Sequence, residues 1–230
     1  MILLHQVHSL APGAGPEFEE VTRDQLLPLI ASETARFAFY AAPTGAAIHQ
    51  DEAITMIALK DGNALDRFSG RVREGDLTNT VNRHAALRTD VATRLLKPLD
   101  YDPAQLRIED IPASLSSKPA VSYMHDFVPP VIGQNRAYVD MMREHYMALT
   151  ETELSGVVLR YSWETVWGGG PVPEMFNLSE IRSPTALLQL VGKEIPGEYK
   201  QIGSWMWDAL AVRDRWTTRL LRSATWSPIV

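Results

Sequence analysis

Hydrophobic residues in the first half of the chain follow two spacings, alternation every second position and a helical stripe every third or fourth. The alternating and β-branched runs predict strands at 2–10, 36–42 and 52–60, with a short fourth strand at 99–101. The helical stripes predict helices at 16–35, 64–72 and 80–96. In the first of these helices, Phe18, Val21 and Leu26 fall on one face.

The second half shows the same order of elements. Strands are predicted at 121–128, 157–167 and 175–181, with a short one at 224–226. Helices are predicted at 135–149, from Pro184 onward with Ser183 as its cap, and from Pro196 to about residue 221. The glycine-rich run 168–171 predicts a hairpin turn.

Short sequence matches relate the two halves directly. Thr93-Arg94-Leu95-Leu96 recurs as Thr218-Arg219-Leu220-Leu221, a shift of 125 residues. Further pairs recur in the same order with shifts of 120 or 121, namely His5 with His125, Gly13 with Gly133, Phe18 with Tyr138, and Tyr40 with Tyr161. The sequence therefore predicts a tandem duplication, with one repeat at 1–102, a linker at 103–119 and a second repeat at 120–230.

The order strand, helix, strand, strand, helix is the split βαβ arrangement, which places helices on one face of an antiparallel sheet. The other face of each sheet would be bare, and two bare faces in one chain can cover each other. The expected fold is α+β, with two ferredoxin-like repeats whose sheets pack into a pseudo-two-fold barrel.

Composition excludes several kinds of site. The 230 residues contain no cysteine, which removes disulfides, zinc–thiolate sites and thiol nucleophiles. A formal charge of −6 argues against a nucleic-acid partner. No apolar run is long enough for a membrane helix, and the first residues do not have the pattern of a signal peptide, so a cytoplasmic protein is expected. No metal-binding spacing is present, and no metal site is predicted.

Histidines on the first strand of each repeat are the leading candidates for chemistry. Imidazole is the side chain best suited to proton transfer near neutral pH. Strand alternation places His5 with Leu3 and Val7, and His125 with Tyr123 and Phe127. If that face lines the interior, the two histidines and Tyr123 converge; the alternative is a pair of structural core histidines.

Other candidates come from aromatic and polar strand residues. All six tryptophans lie after residue 160, which indicates an aromatic-walled pocket in the second repeat or simply an aromatic core. Residues expected to bind substrate are Tyr40, Arg160, Trp163, Phe176 and Asn177, and Tyr161 is a catalytic candidate beside Tyr123. His8 is expected on the opposite strand face, and His84 stands isolated in a polar segment.

The repeated plan resembles the dimeric α+β barrel superfamily in a fused form, similar to NIPSNAP-type and antibiotic-biosynthesis-monooxygenase-type proteins. The resemblance extends over essentially the whole chain. It implies a small-molecule site inside the barrel. In cyclase-like members a first-strand histidine acts as acid or base with tyrosines nearby, and His5 and His125 stand at that place.

The leading hypothesis is therefore a cofactor-free enzyme, a cyclase, dehydratase, isomerase or lyase, acting on an apolar or aromatic, polyketide-like substrate. A cofactor-free monooxygenase is a close variant. A haem protein with His125 or His145 as axial ligand, and a non-catalytic binding protein with a filled barrel, are the alternatives. The fused repeats are expected to form a monomer or a homodimer, with no membrane partner.

Overall fold

The computed structural model describes residues 1–44, 51–148, 156–168, 173–191, 205–213, 215 and 217–229. Three sequence predictions fall outside these residues, namely most of the hairpin turn at 168–171, the start of the last helix at Pro196, and the placement of Trp216.

The first half contains four strands and two helical connections between them. Its strands are β1 (Ile2–Leu10), β2 (Ala35–Pro43), β3 (Glu52–Leu59) and β4 (Arg88–Pro98). Between β1 and β2 run α1 (Gly15–Val21), a π-helical segment (Thr22–Leu26) and α2 (Leu27–Ile30). Between β3 and β4 run α3 (Gly62–Glu74) and α4 (Thr78–Ala86).

The second half repeats this order after a short 3-10 turn at Ile108–Asp110. Its strands are β5 (Ser122–Val128), β6 (Val157–Gly168), β7 (Met175–Ile181) and β8 (Thr217–Ser223). Its helical elements are α5 (Asn135–Met141), a π-helical segment (Met142–Tyr146), α6 (Pro184–Val191), α7 (Trp205–Asp208) and a 3-10 turn (Ala209–Ala211).

The eight strands form one closed antiparallel barrel in the order β1-β3-β2-β8-β5-β7-β6-β4. Each half contributes a four-stranded sheet, and the halves are joined by hydrogen bonds between β2 and β8 and between β4 and β6. Closure removes the unpaired edges that two separate sheets would expose. The predicted α+β class and two-sheet barrel are confirmed.

Matching local features in the two halves support their internal symmetry. The π-helical segments begin at Thr22 and Met142, 120 residues apart. Gly13 and Gly133, at the same separation, both have positive φ, +77° and +82°. That backbone conformation favours glycine, since a Cβ there is strained. Each glycine sits in the turn between the first strand and first helix of its half.

The fourth strand of each half was predicted wrongly. The sequence predicts helices through 80–96 and up to about 221, followed by short strands, whereas β4 and β8 themselves contain Arg94 and Arg219. The local pattern lacks strict alternation, and β4 takes its hydrogen bonds from β1 and β6. These non-local partners override the weak local preference.

The strand register corrects the proposed match between Tyr40 and Tyr161. Phe39 pairs with Met56, and Tyr161 pairs with Leu178, 122 residues further on. Tyr161 is therefore the structural counterpart of Phe39, and Tyr40 lies one position away on the opposite face. A one-residue shift in a strand exchanges its two faces.

The core consists of a barrel interior and helix–sheet layers outside it. Buried side chains from all eight strands, including the histidines described below, point into the interior. At the end where β1 and β5 begin, Ile111 and Ile229 pack against this interior cluster. Within the described residues, no helix is both long enough and apolar enough to cross a membrane.

Candidate active site

Two histidines meet at the centre of the barrel. Alternation along β1 and β5 turns His5 and His125 inward, and both side chains are fully buried. Their Nε2 atoms are 3.0 Å apart, a hydrogen-bond distance between residues 120 positions apart in sequence. The structure thus brings together the two residues that the repeat pattern singled out.

Both imidazoles are held in the neutral form. Burial lowers the pKa of His5 well below its usual value, and His125 and Arg94 lower it further. Burial, followed by the charge of Arg219, lowers the pKa of His125 to about 3. A buried ring with no carboxylate beside it loses hydration on protonation without gaining a counter-charge.

Neutrality determines how the protons are shared. Only one hydrogen can lie between the two Nε2 atoms, so one ring carries Nε2–H and the other carries Nδ1–H. The first ring therefore has an Nδ1 lone pair, whereas the second has an Nδ1 proton. Among the described residues, neither Nδ1 has a hydrogen-bond partner on another residue. The pair can thus offer one base and one acid to a ligand.

Two arginines flank the histidine pair. Arg94 is the cross-strand neighbour of His5, and Arg219 is that of His125. Each arginine pairs with a glutamate of the other half, Arg94 Nε with Glu174 Oε2 at 2.7 Å and Arg219 Nε with Glu52 Oε2 at 3.2 Å. The Arg94 guanidinium also lies 4.1 Å from the centre of the Phe127 ring.

These two arginines were missed as site residues. The recurring Thr-Arg-Leu-Leu run identified them as equivalent, but assigning the run to a helix separated them from the histidines. Glu52 is the first residue of β3 and Glu174 directly precedes β7. Both ion pairs therefore lie towards the barrel end at which β1 and β5 finish.

Aromatic rings surround the histidine pair. The ring of Phe127 is 5.3 Å from that of His5, and the ring of Phe176 is 4.8 Å from that of His125, measured between centroids. Trp163 stacks on Phe176 with an interplanar angle of 3°. Phe176 therefore lies against both histidines, with Trp163 packed against Phe176, and these rings give the interior a low polarity.

Two buried donors in the same interior have no protein partner within the described part of the chain, the hydroxyl of Tyr123 and the indole Nε1 of Trp163. Burial raises the pKa of Tyr123, and burial together with Asp102 raises that of Tyr161 to about 12. Both phenols therefore stay protonated at neutral pH. An unpaired buried donor is costly, and a ligand oxygen would satisfy it.

Three predicted substrate-binding residues lie away from the pair. Tyr40 lies on the outer face, with its ring 4.9 Å from that of Trp226. Arg160 is half-exposed, and its Nε donates to Glu180 Oε2 at 2.6 Å.

Asn177 also lies on the outer face of its sheet. Its Oδ1 accepts from the Ser162 hydroxyl at 2.7 Å, and its Nδ2 donates to the Tyr138 hydroxyl at 3.2 Å. Asp102 Oδ1 accepts the Ser162 backbone N–H at 2.6 Å, and burial raises the pKa of Asp102 to about 6. Burial also raises the pKa of Asp126, on the outer face of β5, to about 6.

A second pair of buried histidines lies outside the barrel. His8 is on the outer face of β1, as alternation predicts, and its Nε2 is 2.9 Å from Thr55 Oγ1. His84 was predicted to be isolated, but it is buried, stacks on Phe18 at 4.2 Å and is hydrogen-bonded to Thr22 Oγ1 at 2.9 Å. Burial lowers the pKa of His8 to about 3 and that of His84 to about 4.

The surroundings of His125 do not fit a haem ligand. The Nε2 of His125 is hydrogen-bonded to His5, and aromatic rings lie about 5 Å from its ring on two sides. His145 is exposed, in the π-helical segment after α5. In the described part of the chain, no three His, Asp or Glu side chains are grouped as metal ligands would be.

Solved structures with the same fold cover nearly the whole chain. An anthrone oxidase-like protein has a TM-score of 0.67 at 10% identity, over 97% of this chain and 91% of its own. A protein of Lactobacillus acidophilus named as a monooxygenase has a TM-score of 0.57 at 10% identity, over 100% and 99%. Chlorite dismutase from Candidatus Nitrospira defluvii has a TM-score of 0.53 at 12% identity, over 96% and 91%.

No protein-family model matches the sequence, and a search of curated proteins finds no match either. The similarity to known proteins is therefore one of fold, an eight-stranded α+β barrel built from two halves. A fold does not by itself identify a chemistry, which depends on the residues inside the barrel.

Proposed function

We propose that this protein is an enzyme that moves a proton on an apolar, aromatic substrate, with His5 and His125 as its acid–base pair and without a resident cofactor. The observation that carries the proposal is the 3.0 Å contact between the two Nε2 atoms in an aromatic interior, where neither Nδ1 is bonded to another described residue. A merely structural histidine normally uses its second nitrogen to bind a backbone carbonyl or another side chain.

The shared hydrogen makes the pair a proton relay. The substrate C–H proton passes to the bare Nδ1 of one ring, that ring's Nε2–H passes to the other Nε2, and the second ring releases its Nδ1–H to the substrate or to water. At the end both rings are neutral again and their tautomers have exchanged. Such a relay leaves neither ring with a net charge, which is consistent with the lowered pKa values of both histidines.

The developing substrate anion needs stabilisation. The hydroxyl of Tyr123 and the Nε1 of Trp163 are donors for its oxygen, and Arg94 and Arg219 supply a positive field from one end of the barrel. We expect substrate to enter from the end that carries the arginine–glutamate pairs.

Return of the proton to another carbon gives isomerisation. Attack of the carbanion on a carbonyl carbon of the same substrate, with the proton delivered to the resulting alkoxide, gives cyclisation. Loss of a β-hydroxyl group, which leaves as water with the proton, gives dehydration. A second candidate is cofactor-free oxygenation, favoured by the full-length similarity of fold to an anthrone oxidase-like protein and to one named as a monooxygenase. In that reaction the pair removes a proton from an activated methylene and the carbanion reduces O2. One oxygen atom becomes the new carbonyl oxygen, and the other leaves as water with the two methylene hydrogens.

Anthrone is a suitable probe because its methylene is acidic and lies between aromatic rings. We expect the protein to catalyse exchange of that methylene with deuterium in D2O without O2, and the substitutions His5→Gln and His125→Gln to slow exchange at least about a hundredfold. His145→Gln is the matched control, since His145 is exposed. Unchanged exchange in both barrel variants would contradict the proposal.

Repeating the reaction in air separates the two candidates, because anthraquinone forms only if the carbanion reacts with O2. A Soret band in the purified protein would overturn the cofactor-free part of the proposal. Loss of that band in His145→Gln but not in His125→Gln would place the iron outside the barrel, away from the histidine pair.

A further inference from the structure

A second cleft lies outside the barrel, between α3, α4 and the outer face of the first sheet. Its volume is about 550 Å³, within the usual range for small-molecule sites. Apolar side chains from four elements form most of its walls, namely Leu4, Ile57, Leu65, Phe68, Val72 and Val81. His5 and His125 do not line it, because β1 turns them to the other side of the sheet.

A half-buried arginine lines this cleft. Arg88 is the first residue of β4, and its Nη1 donates to His8 Nδ1 at 3.2 Å. Among the described residues no Asp or Glu forms an ion pair with Arg88, whereas Arg83 on α4 pairs with Glu17 at 2.8 Å. Burial lowers the pKa of Arg88, which shows that its charge has lost water without gaining a carboxylate.

The neighbouring histidines add no charge. Because Nδ1 of His8 accepts from Arg88, its Nε2 carries the hydrogen and donates to Thr55. His84 lines the cleft, and its Nε2 is hydrogen-bonded to Thr22. Both histidines are neutral at pH 7 because burial lowers the pKa of each.

Two exposed residues of α3, Asp66 and Arg73, also line the cleft and have opposite charges. Their charges cancel in the sum over the lining. The net positive charge of the lining is therefore that of Arg88, and the remaining side chains of the lining are apolar or uncharged.

We propose that this cleft binds an amphiphilic monoanion, an acyl or aryl carboxylate, with its carboxylate on Arg88 and its hydrocarbon part against the apolar walls. A guanidinium forms its strongest hydrogen bonds with a carboxylate. Because Arg88 is half-buried in the folded protein, its guanidinium loses little further water when a ligand binds. The hydrocarbon part would gain from leaving water. The inference is independent of the proposed function, because none of these residues lies inside the barrel.

Calorimetric titration of the whole protein with decanoate tests whether the cleft binds a carboxylate. We expect one decanoate per chain, binding at least ten times more weakly to Arg88→Met, which keeps the length of the side chain but removes its charge. Arg83→Met is the control on a neighbouring helix and should bind as the unchanged protein does. Decylamine, with the same chain and the opposite charge, should bind at least ten times more weakly than decanoate.

Equal affinity for decanoate in Arg88→Met, or equal binding of decylamine, would overturn the proposal. If Arg88→Met does not fold, as judged by its thermal midpoint, Val81→Trp fills the cleft without touching the charge and should also abolish binding. Decanoate binding lost in His125→Gln but kept in both cleft variants would place the ligand in the barrel and refute the assignment, whatever the result of the anthrone experiment.

Discussion

Acidification should destabilise this protein strongly, because four buried histidines are neutral in the folded state. The pKa values of His125 and His8 are lowered to about 3 and that of His84 to about 4, and that of His5 also lies well below 6.5. In the unfolded chain each would titrate near 6.5. At a pH between the folded-state pKa of a histidine and 6.5, that histidine is protonated in the unfolded chain but not in the folded protein. The free energy of unfolding therefore decreases as the pH falls below 6.5.

Two buried carboxyls act in the opposite direction. Asp102 and Asp126 have pKa values raised to about 6, so between roughly pH 4 and 6 the folded state holds protons that the unfolded chain has released. Their contribution to stability is largest at low pH and is lost as the pH rises through 6. They therefore offset part of the effect of the histidines.

The size of the effect follows from about 1.4 kcal/mol per pH unit for each group. Between pH 7 and pH 5 each histidine costs about 2 kcal/mol and each carboxyl returns about 1.4 kcal/mol, which leaves a net loss of about 5 kcal/mol. At pH 5 unfolding should take up about two protons per chain. Because a whole domain is stable by only about 5–15 kcal/mol, unfolding near pH 4–5 is expected.

Urea unfolding at pH 5, 6 and 7, followed by tryptophan fluorescence, measures this directly. His84→Gln should reduce proton uptake at pH 5 by about one. A free energy of unfolding that differs by less than about 1 kcal/mol between pH 5 and pH 7 would refute the reasoning.

Three further predictions concern the barrel and its turns. In urea unfolding, Gly168→Ala should lower the free energy of unfolding by about 3 kcal/mol and Gly13→Ala by only about 1 kcal/mol. Both glycines have positive φ, but a Cβ at Gly168 would lie 2.5 Å from a backbone oxygen of β4. Equal losses would contradict this. Trp163→Ala should cost about 3–5 kcal/mol in the same assay, because the side chain is fully buried, and a cost below about 1 would show that the interior is not packed around it. His5→Leu and His125→Leu should each lower the free energy of unfolding by about 2 kcal/mol. The double variant should lose at least about 1 kcal/mol less than the sum of the two single losses. If the losses are strictly additive, the 3.0 Å hydrogen bond contributes nothing to stability.

Much of the fold could be predicted because the signals that carry it are local. Alternation in Ile2–Leu10 and Ser122–Val128 predicts strands and places His5 and His125 on one face of each. The separation of 120 residues predicts that the two histidines are equivalent. Neither signal depends on a distant contact, which is why both survive in the structure.

The fourth strands show where local signals fail. Arg94 and Arg219 stand in a run without clear alternation, on strands whose outward side chains are largely exposed. A helix and a strand fit such a run about equally well, and the hydrogen bonds that decide between them come from residues far away in sequence. For the same reason, the arginines could not be assigned to the site.

The strand register shows a second limit. Tyr40 and Tyr161 match in sequence at a separation of 121 residues, but the pairing of Phe39 with Met56 and of Tyr161 with Leu178 makes equivalent positions 122 residues apart. An error of one residue exchanges the two faces of a strand, and the hydrophobic pattern does not reveal it. Asn177 belongs to the outer face, where it bonds to Ser162 and Tyr138 rather than facing the histidines.

Side-chain spacing along the chain was enough to predict the order of elements and the inward face of the first strand in each half. Only the tertiary structure decided that His5 and His125 share a hydrogen and that Arg94 pairs with Glu174 of the other half. The physical reason is closure of the barrel. Contacts between positions 80 to 120 residues apart arise from strand pairing and register, which the spacing of residues within one strand does not encode.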